Sequence, residues 1–410
     1  MRKLTPLFFS RDSDLDHAST PGTVHLTVHD PYNGATQFPR NKNPMTFSPS
    51  GATSAVSLTT AEARCGTDAR RDRTEKMKLV CPAGSLPALT AAVDNGADDV
   101  YMGIRDETNA RNFAGLNFDD KSLREGIRYA HAHNVRVLMA LNTYPQPATW
   151  QKWRRAVDLA VDHGVDAIIV ADMGLMQYAA TTHPQLRLHL SVQGSATNYE
   201  AINFVHERFG VVRAVLPRVL SIQQIAQVIA HTPVEIEAFG FGSLSIMVEG
   251  RCALSSYATG ESPNTHGGCS PAKAVRWEKP AGLQGTLDSF LGGVLIDRFA
   301  AGERPGYPTL CRGRFKVNDD VYYAFEEPTS LNTLELLPTL QKMGVKAIKI
   351  EGRQRSPSYV ALVTRVWRNA IDACTANAER YEVRPDWQAA LARVAEGNQC
   401  TLGAYHRAWK

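Results

Sequence analysis

Two cysteines, Cys252 and Cys269, stand in the stretch GRCALSSYATGESPNTHGGCSPAKAVRW, Gly250 to Trp277, and a third, Cys311, follows in GYPTLCRGRF. The flanks are polar and glycine-rich. That is a poor setting for a small buried hydrophobe, but a good one for bringing backbone N–H groups up to a thiolate sulfur. The pattern predicts metal ligation. Zinc and an iron–sulfur cluster both take thiolates, and no compact Cys-x-x-Cys spacing chooses between them. A fourth ligand is needed, and the candidates nearby are Ser245, in SLSIMVEGRC, and His266. The other cysteines read differently. Cys81, in VCPAG, is expected to be a packed core thiol, Cys374 lies on an apolar helix, and Cys400 sits near the end of the chain.

A second set of polar groups falls at the ends of apolar runs: Asn109, Asn112, Asn142, Asp172, Gln193, Arg218, Glu237, Glu351 and Arg353. Asp and Asn in such places also serve as helix N-caps. Arg218, Arg353 and Arg355 together suit a carboxylate or phosphate, because the guanidinium fork binds such groups with two parallel hydrogen bonds. The competing expectation is that they pair with Glu237 and Glu351. No Gly-x-Ser-x-Gly, His-Glu-x-x-His or Walker loop occurs, so the usual hydrolase and nucleotide signatures are absent.

These residues need a scaffold, and from Lys78 onward a unit repeats. An amphipathic helix ends in Gly or Asn and a short aliphatic strand follows, as in NGADDVYMGI, HGVDAIIVAD and MGVKAIKIEG. Gly or Asn suits a left-handed C-cap, and four to six aliphatic residues suit a strand buried on both faces. Eight strands are predicted: Lys78–Pro82, Asp99–Ile104, Val135–Leu141, Ala167–Asp172, Leu186–Gln193, Arg213–Val219, Val234–Phe241 and Ala347–Gly352. Helices over Thr149–His163, Asn198–Phe209 and Ser221–Ile229 fall between them. Alternation of this kind implies an α/β fold with a parallel sheet. The count implies a (β/α)8, TIM-barrel-like architecture rather than a doubly wound sheet. Strands seven and eight are separated by a long cysteine-bearing insertion at about 242–330, read as irregular, and by one helix, Leu331–Lys342. In a barrel, loops after a strand build the catalytic face, so the thiols lie where such a fold makes its site.

Residues 1–76 differ from the rest. They are rich in Ser, Thr, Pro, Asn and Gly without a sustained apolar period, which predicts a disordered N-terminal extension, Cys65 included. Residues 77–410 then form the barrel-like catalytic domain. A net charge of only +4 gives no reason to expect nucleic acid as a partner. No apolar run reaches the length of a transmembrane segment. The start MRKLTPLFFSRDSD has too short an apolar run for a secretory signal. The expectation is a cytoplasmic protein with reduced thiols.

The segments NARNFAGLNF, SVQGSATN, LPRVLS, EGRCALSSYATGESPNTHGGCSPAKAVRW, EEPTSLNTLELLP and KIEGRQRSPSYV resemble the collagenase-like peptidase family U32. The resemblance covers residues 77–410, and its last three segments point to the branch of oxygen-independent ubiquinone-biosynthesis hydroxylation proteins. It implies a 4Fe-4S cluster on four cysteines and a heterodimer with a UbiV-like sister protein. It also implies ring hydroxylation of a ubiquinone precursor without O2, with prephenate as oxygen donor. Three cluster ligands fall on Cys252, Cys269 and Cys311. The fourth falls on Ser245, where the family pattern has cysteine. Arg218, Glu237, Glu351 and Arg353 are the candidates for catalytic contacts. Alternatives within the resemblance are a collagenase-like peptidase, hydroxylation of an RNA base, and a non-catalytic cluster-bearing scaffold subunit.

Overall fold

The computed structural model of the protein describes residues 76–245, 247–303, 305–397 and 399–406. Apart from Lys76, the expected N-terminal extension, with Cys65, lies outside them.

From the N-terminal side the chain runs β1 (Lys78–Pro82), α1 (Leu86–Asp94), β2 (Asp99–Met102), α2 (Asp120–Ala132), β3 (Arg136–Leu141), α3 (Trp150–Asp162), β4 (Ala167–Val170), α4 (Met173–Thr182), β5 (Arg187–Leu190), α5 (Tyr199–Phe209), β6 (Val211–Val215), α6 (Ile222–Ala230) and β7 (Glu235–Ser243). An insertion follows: α7 (Leu254–Thr259), α8 (Pro263–His266), β8 (Val275–Glu278), β9 (Leu287–Leu291), β10 (Val294–Phe299), β11 (Phe315–Val317), β12 (Asp320–Tyr322) and β13 (Ser330–Asn332). The chain ends with α9 (Leu337–Met343), β14 (Ala347–Ile350), α10 (Pro357–Ala376), α11 (Pro385–Val394) and β15 (Cys400–Thr401).

β1 to β7 pair in parallel, each with the next, and β14 pairs in parallel with both β1 and β7. Eight parallel strands therefore close on themselves, which is the (β/α)8 barrel expected from the repeat. The helices start where their caps dictate. Asn198 accepts from the Ala201 amide to open α5, and Ser221 forms a capping box with Gln224 to open α6. Gly210, at φ 74°, ends α5 in the left-handed cap its sequence asked for.

Two expectations are corrected. The insertion is not irregular: β8, β9 and β10 form an antiparallel sheet, and β11 with β12 forms a hairpin. The turn between β9 and β10 is Gly292–Gly293, both at positive φ, the backbone a tight two-residue hairpin requires. The expected helix Leu331–Lys342 is likewise divided. Ser330, Leu331 and Asn332 pair antiparallel with Ser243, Gly242 and Phe241, because β7 runs past the barrel and offers an open edge, and only Leu337–Met343 is α-helical.

Outward-facing strand residues pack under the helices in one continuous core that includes Leu79, Cys81, Met102, Met139, Ile168 and Ile348. The inside of the barrel is different. Val80, Tyr101, Leu138, Ala167, Ile169 and Ala347 form a small apolar cluster there. Beside it runs a buried ion network. Arg213 meets Asp99 at 3.0 Å, Glu235 at 2.7 Å and Glu237 at 3.6 Å, Arg136 meets Asp99 at 2.7 Å, and Lys349 meets Glu237 at 2.8 Å. Charges so far from water persist only when paired.

Candidate functional site

A cavity of about 600 Å³ lies between the C-terminal ends of the barrel strands and the insertion. Tyr101, Asn142, Phe239, Lys349, Glu351 and Arg353 line it from the barrel. Ser245, Cys252, Cys269 and Cys311 all line it from the insertion side. The chain thus brings together in space the four positions that the resemblance assigned to a cluster. His266, the other candidate for fourth ligand, is exposed and borders no part of the cavity; its Nδ1 meets the Thr265 hydroxyl at 2.9 Å.

Glycine contacts seat the thiols. Gly250, two residues before Cys252, sits at φ 85° so close to the barrel that a Cβ would stand 1.9 Å from the Gln193 carbonyl oxygen. Gly267, two residues before Cys269, sits at φ 83°, and its Cβ would stand 2.3 Å from the Asn109 carbonyl oxygen. The Arg111 amide donates to the Gly267 carbonyl at 2.6 Å, which ties this loop to the one after β2. Only a residue without a side chain allows either approach. Cys311 lies in the single turn Leu310–Arg312, against which α7 packs. Arg312 fixes that turn by donating to the Leu244 carbonyl and pairing with Glu396, beside the segment that carries Ser245. Burial pushes the Cys311 thiol up; Arg312 opposes this, and the nearby Cys269 and Cys252 add to the rise. A thiol raised in this way holds best as a thiolate when a cation sits beside it.

The other cysteines among the described residues do not line the cavity. Cys81 faces the helices, accepts from the Thr364 hydroxyl at 3.3 Å, and is pushed up to about 12 by burial, so it is an inert core thiol. Cys374 donates to Gln341 at 3.0 Å, and Cys400 pairs in β15 with Ser330.

The structure separates the four predicted catalytic contacts. Arg218 lines the cavity and is tied to protein through two of its three nitrogens: Nε donates to Glu249 at 2.7 Å, a terminal nitrogen donates to the Ser243 carbonyl, and the guanidinium lies 4.4 Å over the Phe239 ring. Arg353 is tied likewise, its two amino groups donating to Asn109 Oδ1 at 2.8 Å and to the Ala110 carbonyl, and burial lowers its pKa to about 10. Neither arginine pairs with Glu237 or Glu351. Glu351 lines the cavity and meets Arg111 Nε at 3.4 Å; burial works against its charge, but Arg111 and Arg218 hold the carboxyl below its usual range. Glu237 is fully buried one layer deeper and reaches the cavity only through Lys349. Of the strand-end amides, Asn142 bridges the Ala110 amide, at 2.9 Å, and the Ser191 hydroxyl, at 3.0 Å, and Gln193 lines the cavity. Asp172 is the N-cap of α4, accepting from the Leu175 amide at 2.8 Å. Arg355 donates to the Val394 carbonyl at 2.6 Å.

Residues 84–408 match peptidase family U32. The chain belongs to peptidase family U32. Among its relatives, the tRNA hydroxylation protein P1 of Bacillus subtilis (strain 168) is 30% identical over 332 residues, covering 81% of this chain and 72% of the relative. The tRNA hydroxylation protein P of Escherichia coli (strain K12) is 31% identical over 321 residues, 73% of this chain and 69% of the relative. The collagenase of Porphyromonas gingivalis is 28% identical, over 77% of this chain and 70% of the relative. This family member carries no histidine among the described residues lining its cavity, so no Ser–His or Cys–His pair stands there to activate a nucleophile.

Residues missed from sequence decide much of the cavity's character. Tyr101, Arg111, Glu249, Arg312 and Lys349 all line it. Lys349 carried a legible signal: with Ala347 and Glu351 it follows the two-residue strand period, so all three share the barrel's inner face.

Proposed function

We propose that this chain is the iron–sulfur subunit of an oxygen-independent ring hydroxylase. The substrate proposed is a ubiquinone precursor, the oxygen donor prephenate, and the partner a UbiV-like sister protein in a cytoplasmic heterodimer. The observation that carries the reading is the convergence of Cys252, Cys269, Cys311 and Ser245 on one cavity that the barrel lines with cations.

The donor set suits a four-iron cluster chemically, since such a cluster takes soft thiolate ligands, one to each iron. Cys252, Cys269 and Cys311 would hold three irons, with Ser245 at the fourth. When bound, the cluster would supply one-electron redox chemistry and a Lewis-acidic iron at the barrel mouth. The protein's own contribution is a cavity at which Arg111 and Lys349 favour an anionic donor.

The names of the relatives support hydroxylation of a nucleic-acid base as a second reading, since placing oxygen on a ring carbon is the same class of oxidation. One experiment separates the readings. Chain purified anaerobically is assayed for iron and sulfide. Turnover with prephenate is then measured on a ubiquinone precursor and on tRNA, with and without the sister protein. Four irons per chain and precursor hydroxylation by the pair are expected. Zinc, or no metal, would overturn the cluster. Turnover on tRNA alone would move the substrate to the second reading, and full activity of the partner without this chain's cluster would make it a scaffold.

A further inference from the structure

Two cations at the cavity keep donors that the protein does not use. Lys349 Nζ donates to Glu237 Oε1 at 2.8 Å and lies 3.7 Å from the centre of the Tyr101 ring. Its side chain is only 7% exposed, yet it borders the cavity. An ammonium carries three N–H donors, and Glu237 is its one hydrogen-bond partner among the described residues. Tyr101 is itself fixed, donating its hydroxyl to the Ile350 carbonyl at 2.8 Å.

Arg111 is the other. Its Nε faces Glu351 at 3.4 Å, and its two amino groups bond to no described protein group. Its backbone is held at φ 81°, a conformation that side-chain-bearing residues avoid. Contacts on both sides enforce it: the Arg111 amide donates to Gly267 at 2.6 Å, and Asn117 donates to the Arg111 carbonyl at 3.0 Å. The strain holds a guanidinium at the cavity rim. Arg218 and Arg353, by contrast, are each tied through two of their three nitrogens to carboxylate, amide and carbonyl oxygens of the protein.

We infer that Lys349 at the floor and Arg111 at the rim form a two-point seat for a dicarboxylate, one carboxylate on each cation. The seat rests on the hydroxylase reading, whose oxygen donor is a dicarboxylate, and assigns that donor's contacts to residues other than Arg218 and Arg353. Glu237 and Tyr101 position the lysine, and Glu351 positions the arginine.

The test compares a dicarboxylate with a monocarboxylate on the intact chain. Prephenate and phenylpyruvate are titrated calorimetrically into wild type, Arg111→Gln, Lys349→Met, and Lys349→Met combined with Glu237→Gln. The double change removes the buried partner together with the lysine, so no carboxylate is left half-paired inside the barrel. Wild type should prefer prephenate, and each variant should lose about ten- to a hundredfold of that preference, the worth of one charge-assisted hydrogen bond. General damage to the fold weakens both probes alike and leaves the ratio unchanged. If the variants keep the wild-type ratio, or wild type shows no preference, the seat is wrong. In that case prephenate-dependent turnover by wild type would still sustain the hydroxylase reading. If the ratio falls as expected but wild type together with its sister protein hydroxylates nothing with prephenate, the seat stands and that reading falls.

Discussion

Replacing Ser245 with cysteine should make the proposed cluster more durable. Ser245 lines the cavity with Cys252, Cys269 and Cys311, and its hydroxyl donates to the Met247 carbonyl at 2.9 Å. The change trades that hydrogen bond, worth about 1 kcal/mol, for a fourth thiolate. In structural zinc sites about 10–16 kcal/mol is shared among four ligands, so one ligand is worth on the order of 3 kcal/mol. The thiolate wins by about 2 kcal/mol, which corresponds to about thirtyfold in iron affinity. Serine is also a harder donor than thiolate, so softness matching works in the same direction. The assay is anaerobic reconstitution of both forms, iron and sulfide per chain, and the decay of the visible absorption band after admission of air. Wild type should hold its four irons only without air and bleach quickly once air is admitted, and Ser245→Cys should bleach slowly. Unchanged lifetime in Ser245→Cys, with full iron still held by Cys252→Ala, Cys269→Ala and Cys311→Ala, would refute the assignment of the cluster to this cavity.

Three further outcomes are expected. Cys252→Ala, Cys269→Ala and Cys311→Ala should each abolish iron binding on reconstitution, while Cys374→Ala and Cys400→Ala leave it intact, because neither of those residues lines the cavity; loss of iron in the second pair would place ligands outside the cavity. Gly267→Ala should lift the Cys269 loop off the barrel, since its Cβ would stand 2.3 Å from the Asn109 carbonyl oxygen, at a cost on the order of 1–3 kcal/mol. Amide exchange at Arg111 reads this directly, and unaltered protection there would show that the loop is seated in another way. Arg353→Lys keeps the charge but loses the planar fork that spans Asn109 and Ala110. It should lower stability to denaturant by about 1.5–3 kcal/mol, whereas an unchanged midpoint with weakened prephenate binding would return Arg353 to the substrate.

The barrel was legible because its signal is local. Five of the eight strands follow a left-handed Gly or Asn, namely Gly96, Asn134, Gly164, Gly210 and Gly344, and the structure puts all eight in the expected order with caps such as Asn198 and Ser221 in place. The insertion was harder. Its strands are short and partly exposed, so they lack an apolar period, but the turn residues Gly292–Gly293 and Asn318, at φ 58°, carried hairpin signals inside LGGV and VNDD. The split of Leu331–Lys342 depended on a free edge of β7, which local sequence does not contain.

The site divides along the same line. Cysteines cluster in sequence as well as in space, so Cys252, Cys269 and Cys311 were readable before their shared cavity was known. Charge pairing is different, because it joins residues far apart along the chain. Arg218 met Glu249 and Arg353 met Asn109, and each choice follows from which loop the fold lays beside which strand. Lys349 shows how far the sequence does reach. The strand period places it on the inner face with Glu351, but its free donors matter only because Glu237 lies beneath it and Tyr101 beside it, on strands the chain visits much earlier. A cation used up by the protein and a cation offered to a ligand have the same sequence signature. What distinguishes them is how far folding has already bonded them: Arg111 keeps both amino groups and Lys349 two of its donors, whereas Arg218 and Arg353 each give two of their three nitrogens to the protein.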